Sequence, residues 1–305
     1  MPKQDPSLRG GVRRLSNLLH KNSSTLFLFS RPYMDTLPFL PNKFSLFFKL
    51  ASLKLNPYKH REATFLVMKI ITWNCNMAFR KKADFILIHK PDILIVPECE
   101  HPDKLIFPAG TPKPTDILWF GKNLHKGLGI FSYSDFRFTV LDNHNQDLQM
   151  IIPIAVSGGQ FDFNLFAIWA NNPTDKDGQY VEQVWKAIHH YETLLTNTKT
   201  ILAGDFNSNT IWDRKRRASN HSNVVKFLEA KGIFSTYHLH HTQTQGTEEH
   251  PTLYLYRHKD KPYHLDYCFV SNDFMRKLKS VEIGDYEYWA KYSDHVPVMV
   301  TFETM

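Results

Sequence analysis

Cysteine is scarce in this chain of 305 residues: only Cys75, Cys99 and Cys268 occur, and no two form a Cys-x-x-Cys pair. That excludes a disulfide framework and argues against zinc; each lies in an apolar run, as reduced core residues of a cytoplasmic protein do. Long hydrophobic runs are missing too. The best candidate, residues 40–55, is broken by Lys43, Lys49 and Lys54, so nothing reaches the roughly 18 to 20 residues that a transmembrane helix needs. No internal repeat of the kind that builds a solenoid is present.

Charge is lacking where a nucleic-acid partner would first be sought. The formal +7 comes from residues 1–67, with eleven Lys and Arg against three Asp and Glu; residues 68–305 carry 26 against 27. Overall basicity therefore says little about the partner of the main domain. Residues 1–67, broken by Pro32, Pro38, Pro41 and Pro57, read as a basic, poorly ordered leader, non-native if Met68 is the true start. Their composition also resembles an organellar transit peptide, and residues 40–55 would suit contact with a membrane surface. Residues 68–305 read as one domain, and the whole chain's 42% hydrophobic and 14% aromatic content is ample for a sizeable core.

What is present is a series of buried strands that end in polar residues. Lys69–Trp73 delivers Asn74 and Asn76; a helix over 78–89 is stopped by Pro91; a second strand, Asp92–Val96, ends in Pro97-Glu98-Cys99-Glu100. Short strands follow over 117–120, 127–133, 136–141, 150–156 and 161–169, separated by tight turns that predict antiparallel pairing. A helix over 178–195 leads to Ile201-Leu-Ala-Gly-Asp-Phe-Asn207, where Asp205 and Asn207 leave one face of extended backbone. Taken alone, Gly-Asp-x-Asn is also an ordinary turn after a strand. A helix over 221–230 and strands over 251–256, 264–270, 281–283 and 296–302 complete the pattern, with His264, Asp266, Asp294 and His295 at their ends.

Carboxylates, amides and one histidine at strand ends, without a cysteine or multi-histidine set, form a ligand set for a hard cation: magnesium, with manganese as the alternative. Asp266 inside an otherwise apolar strand needs a partner, and His295 is the natural one. His238, His240, His241 and His250 sit in polar surroundings and read as solvated loop residues. The run Arg214 to Arg217 reads either as a solvated charge run or as a phosphate-steering patch at the mouth of the site.

The ordered set Thr-Trp-Asn74, Val-Pro-Glu98, Gly-Asp205-Phe-Asn207, Leu-Asp266-Tyr and Ser-Asp294-His295 resembles the endonuclease/exonuclease/phosphatase superfamily, from Met68 to the C-terminus. The resemblance implies an α+β fold, a four-layer αββα sandwich of two mainly antiparallel sheets flanked by helices, with the site at one end. It implies that Glu98 and Asn74 hold magnesium with Asp294 close by. It further implies that Asp205 orients and deprotonates water, that Asn207 fixes phosphate or water, and that Asp266 orients His295 toward a phosphate oxygen. Asn76 stands where many family nucleases have Asp, and Trp169 where a Tyr or His is usual; Asn171 or Asn172 would then contact phosphate, with Trp169, Arg214 and Arg216 on the substrate side. The function implied is a magnesium-dependent phosphodiester hydrolase, a DNA or RNA nuclease. A phosphatase or lipid phosphodiesterase, or a catalytically silent binding module, are the alternatives.

Overall fold

The computed structural model describes residues 66–148, 150–159, 161–171, 180–196 and 199–304. The leader expected over residues 1–67 lies outside them, save for Leu66 and Val67, which open the first strand. In chain order the elements are β1 (Leu66–Thr72), α1 (Ala83–Leu87), β2 (Ile93–Cys99), β3 (Asp116–Asn123), β4 (Lys126–Ser132), β5 (Arg137–Val140), β6 (Ile151–Ser157) and β7 (Phe163–Trp169). There follow α2 (Val181–His190), β8 (Thr200–Asp205), α3 (His221–Ala230), β9 (Ile233–Ser235), α4 (Thr236–His241), β10 (Leu253–Tyr254) and β11 (Pro262–Tyr263). The last are β12 (Asp266–Ser271), α5 (Asn272–Met275), β13 (Leu278–Ile283), α6 (Tyr286–Trp289) and β14 (Val298–Thr304).

Two six-stranded sheets share one plan. The first runs β13-β14-β1-β2-β4-β3 and the second β9-β12-β8-β7-β6-β5. In each, only the central pair is parallel, β1 with β2 and β7 with β8, and every other pair is antiparallel. A parallel pair needs a crossover, which α1 and α2 supply. The plan gathers the C-terminal ends of four parallel-paired strands at one edge, together with the N-terminal ends of their antiparallel neighbours β12 and β14.

The period of two sorts the core into layers. Met68, Ile70, Ile93, Ile95, Ile201, Ala203, Cys268 and Val270 point between the sheets, where they meet Ile152, Ile154 and Leu165. Ile71, Trp73, Leu94 and Val96 point outward onto Phe79, Ile86 and Trp289, while Leu202, Tyr267 and Phe269 point outward onto Val184, Ile188, Val224 and Leu228. The result is the four-layer αββα sandwich, with burial of each such apolar side chain contributing about 1.5–3 kcal/mol. Gly204 admits the closest approach: at φ 147° its backbone lies against Ile168, and a Cβ there would fall 1.8 Å from the Ile168 carbonyl oxygen.

Several local expectations shift. The helix expected from residue 78 starts later, because Asn76, Met77 and Ala78 all have positive φ, and only a 3-10 turn and the five-residue α1 follow. The Lys82 ammonium fixes this unusual loop by donating to the Cys75 and Asn76 carbonyls at 2.6 and 3.1 Å. The helix expected over 178–195 is α2, shorter at both ends, and the strand expected over 251–256 shrinks to β10. His238, His240 and His241 lie on a helix, α4, and not in a loop. No helix among the described residues is long and apolar enough to cross a membrane.

Candidate active site

The inner-face stripe that is apolar through the sandwich turns polar at one edge. Along β1 the positions Met68, Ile70 and Thr72 lead to Asn74; along β8, Ile201 and Ala203 lead to Asp205; read backward along β12, Val270 and Cys268 lead to Asp266. The register places Asp205 between Trp169 on β7 and Asp266 on β12. In β2 a bulge between Pro97 and Cys99 inserts Glu98 at φ 63°, and Cys99 joins the outer layer while Glu98 turns toward Asn74. Asn207, expected to share a face of extended backbone with Asp205, instead lies past the end of β8 at φ 47°, and meets Asp205 through that turn. Left-handed backbone at three polar residues, Asn76, Glu98 and Asn207, concentrates strain at this edge.

Hydrogen bonds tie these ends together. Asn74 Nδ2 donates to Asp205 Oδ2 at 3.0 Å and faces Glu98 Oε1 at 3.5 Å. Asn207 donates twice to Asp205, from its backbone N–H and its Nδ2, both at 2.9 Å, and its Nδ2 also reaches the Ala170 carbonyl at 2.7 Å. His295 Nδ1 pairs with Asp266 Oδ2 at 2.8 Å, and its Nε2 stands 4.0 Å from Asp205 Oδ2. Trp73 Nε1 donates to the His295 carbonyl at 3.0 Å, and Ser293 Oγ accepts from the His295 N–H at 3.1 Å while donating to the Asn74 carbonyl at 2.8 Å. Asp294 Oδ1 accepts from Asn76 Nδ2 at 2.9 Å.

The electrostatics follow from burial. Asp205, fully enclosed, has its carboxyl pushed up to about 7 by desolvation and by neighbouring Asp266, against the pull of His295 and the Asn74 and Asn207 donors. Burial disfavours the His295 cation more than any other single influence. Asp266 and Asp205 together overcome it and raise the imidazole to about 10. Asp205, Asp266 and His295 form a compact buried group with atoms within 4.8 Å of one another. Both Asp205 oxygens accept N–H donors and Asp266 Oδ2 takes His295, while Asp266 Oδ1 is buried without a hydrogen-bond partner among the described residues. Glu98 differs. Its side chain is 19% exposed and its Oε2 is held only by the Lys126 ammonium at 3.1 Å.

Two cavities open here. One of about 480 Å³ is lined by Glu98, Lys126, Trp169, Asn171, Tyr180 and Asn207. The other, of about 920 Å³, shares Tyr180 and Asn207 and extends past Trp212 and Tyr263 to Arg214, Arg216 and Arg217. The arginine loop is a built feature: Asp213 accepts from the His221 and Ser222 N–H groups at the start of α3, at 2.8 and 3.0 Å. Asn220 clamps Arg214 through both backbone groups. Arg217 pairs with Glu182, whereas Arg214 and Arg216 are exposed at the cavity.

Of the residues singled out in the sequence, Asn74, Glu98, Asp205, Asn207, Asp266, Asp294 and His295 converge. Trp169 lines the smaller cavity, Arg214 and Arg216 line the larger one, and Asn172 lies outside the described residues. Lys126 was not anticipated: nothing local marks a lysine opening a hairpin strand, and only the β2–β4 register brings it to Glu98.

The model of the Endonuclease/Exonuclease/phosphatase family matches residues 71–295. Similar solved structures include the 3'-5' exonuclease NExo from Neisseria meningitidis, 23% identical with a TM-score of 0.58, over 78% of this chain and 100% of that one. An AP endonuclease from Archaeoglobus fulgidus is 17% identical, with a TM-score of 0.56 over 78% and 100%. The AP endonuclease LMAP from Leishmania major is 14% identical, with a TM-score of 0.58 over 78% and 88%. No curated protein matches. With seven polar side chains from distant segments meeting at one sandwich edge and the family model spanning them all from residue 71 to 295, the chain belongs to the endonuclease/exonuclease/phosphatase family of phosphate-ester hydrolases.

Proposed function

We propose that this chain is a magnesium-dependent nuclease that hydrolyses phosphodiester bonds of DNA or RNA. The observation that carries the reading is the 4.0 Å juxtaposition of Asp205 with His295, the latter oriented by Asp266. A carboxylate near 7 suits proton abstraction from water at neutral pH, and a charged imidazole suits donation to a non-bridging phosphate oxygen. Asn207 and Asn74 hold the Asp205 carboxylate still, so the base is oriented before substrate arrives. Asn207 also lines both cavities, within reach of a bound phosphate or water.

The donor set fits a divalent cation. Glu98, Asp294, Asp205 and Asp266 bring four carboxylates to this edge, which by themselves would repel a phosphate. Glu98 and Asp294 are linked through Asn74 and Asn76 and offer the oxygen ligands that magnesium or manganese prefers. Glu98, Asn74 and Asp294 would hold the ion, which when bound supplies charge neutralisation at the phosphate and the leaving oxygen.

Polynucleotide is favoured over a small phosphate ester by the larger cavity, whose Arg214, Arg216 and Trp212 offer charge and a stacking surface beyond the scissile position. Solved structures of like fold are named as an exonuclease and AP endonucleases. The test is hydrolysis of single- and double-stranded DNA, RNA, bis-nitrophenyl phosphate and a phosphomonoester, with magnesium or with chelator. The expected result is magnesium-dependent cleavage of nucleic acid, reduced by about 10²-fold or more in Asp205→Asn and His295→Ala. Preference for the monoester would assign a phosphatase instead, and unchanged rates in both variants would end the mechanism.

A further inference from the structure

The Lys126 ammonium lies 3.1 Å from Glu98 Oε2 and 5.4 Å from the centre of the Trp169 ring, in the cavity that also holds Asn171 and Asn207. It is the cationic side chain in that lining, and the neighbouring cavity that shares Tyr180 and Asn207 carries Arg214 and Arg216. We infer that Lys126 is a substrate-binding residue whose ammonium moves from Glu98 to a phosphate oxygen of the substrate strand.

Three observations support the transfer. The lysine side chain is 40% exposed and Glu98 19%, and a partly exposed ion pair screened by solvent is weak, so leaving Glu98 costs little. Glu98 is also the carboxylate best placed for a divalent cation, and one carboxylate oxygen cannot serve both cations fully; metal occupancy therefore loosens Lys126. Trp169, only 7% exposed, gives the ammonium an aromatic face on which it is retained beside the site once Glu98 is taken. Cations then line both of the cavities that share Asn207, Lys126 in one and Arg214 with Arg216 in the other. That arrangement suits a substrate that carries more than one phosphate.

This inference rests on the nuclease reading, and its test separates the two. Full-length wild type, Lys126→Met and Lys126→Arg are compared for binding of a fluorescein-labelled single-stranded oligodeoxynucleotide and its RNA counterpart, by anisotropy in manganese without turnover at low temperature and in chelator. Lys126→Met is expected to bind about tenfold more weakly in manganese, the loss of one charge-assisted hydrogen bond, with a salt slope shallower by about 0.7. Lys126→Arg restores binding. In steady-state hydrolysis the loss falls mainly on KM. By thermal shift, Lys126→Met needs less manganese for half-maximal stabilisation, because Glu98 is no longer shared. Wild-type binding at undiminished strength in Lys126→Met overturns this inference alone, as does a manganese midpoint that does not move. Failure of the wild type to bind either strand overturns the nuclease reading and this inference with it.

Discussion

Asn76 Nδ2 donates to Asp294 Oδ1 at 2.9 Å, joining two residues 218 positions apart across the edge where the candidate metal ligands meet. The contact depends on the left-handed loop at residues 76–78 that Lys82 fixes from below. An amide here neutralises nothing, yet it satisfies a carboxylate that an aspartate in its place would oppose. Asn76, the departure from the pattern of many family nucleases, is thus matched to its surroundings.

Replacing Asn76 by Asp places two carboxylates within hydrogen-bond distance. Aspartate tolerates positive φ, so the loop itself survives. Without metal the variant is expected to lose about 1–2 kcal/mol, or roughly 2–8 °C in Tm, through like-charge repulsion. With magnesium the order reverses, since the added anion strengthens cation binding, and the metal concentration for half-maximal stabilisation falls. Differential scanning fluorimetry across a magnesium series checks both directions; a variant more stable than wild type in chelator would contradict the geometry.

The Asp266–His295 pair is expected to act as a unit. Each partner is buried, and the 2.8 Å bond orients the imidazole toward Asp205. Asp266→Asn and His295→Gln should each lower kcat/KM by about 10²–10⁴-fold. The double variant should lose little more than the worse single one, because neither residue works without the other. Multiplication of the two losses would show that they act independently.

This pair was also the most legible feature of the sequence. A charge within an apolar run is costly without a partner, so the sequence around Asp266 calls for one, although Asp266 opens β12 and does not lie inside it. The buried strands that end in Asn74 and Asp205 were readable as apolar runs stopping at a polar residue, whereas which of their side chains face the inner layer was not. The helix over 221–230 coincides with α3 because Val224, Val225 and Leu228 repeat at helical spacing. Other features depend on contacts between distant segments. Lys126 reaches Glu98 through strand register, and the positive φ run at 76–78 is imposed by Lys82 and the Glu100 carboxylate, which accepts from the Phe79 and Arg80 N–H groups. The histidine-rich stretch becomes α4 because Tyr237 is buried against His264, and Glu248 supplies a partner to His238. Polarity alone could not reveal those partners.

Buried neutral histidines set the response to acid. Burial pushes His264 down to about 4, and His221 likewise to about 4, against an unfolded value near 6.5. A histidine whose folded value is depressed contributes stability that is present above the unfolded value and is lost as pH falls toward the folded one. Urea midpoints should therefore carry a component that declines from about pH 6.5 to 4. His264→Asn, which keeps a donor for the His250 carbonyl that His264 Nδ1 contacts at 2.7 Å, removes the His264 share of that component and leaves the His221 share. The stability difference between wild type and His264→Asn should shift against the wild type as pH falls through this window, and a constant difference would refute the assignment.

Arg214 and Arg216 give the last prediction. Their backbone is anchored by Asn220 and by the Asp213 contact with α3, so truncating the side chains leaves the loop in place. Both arginines are exposed at the larger cavity, which Asn207 also lines. If they neutralise two strand phosphates, Arg214→Ala/Arg216→Ala weakens nucleic-acid binding similarly for every sequence and reduces the salt slope by about 1.4 to 1.8. Cleavage of bis-nitrophenyl phosphate, which is too small to reach this loop, stays at the wild-type rate. A double variant with an unaltered salt slope would place the strand elsewhere, whereas loss of activity toward the small ester would mean that the arginines shape the catalytic centre itself.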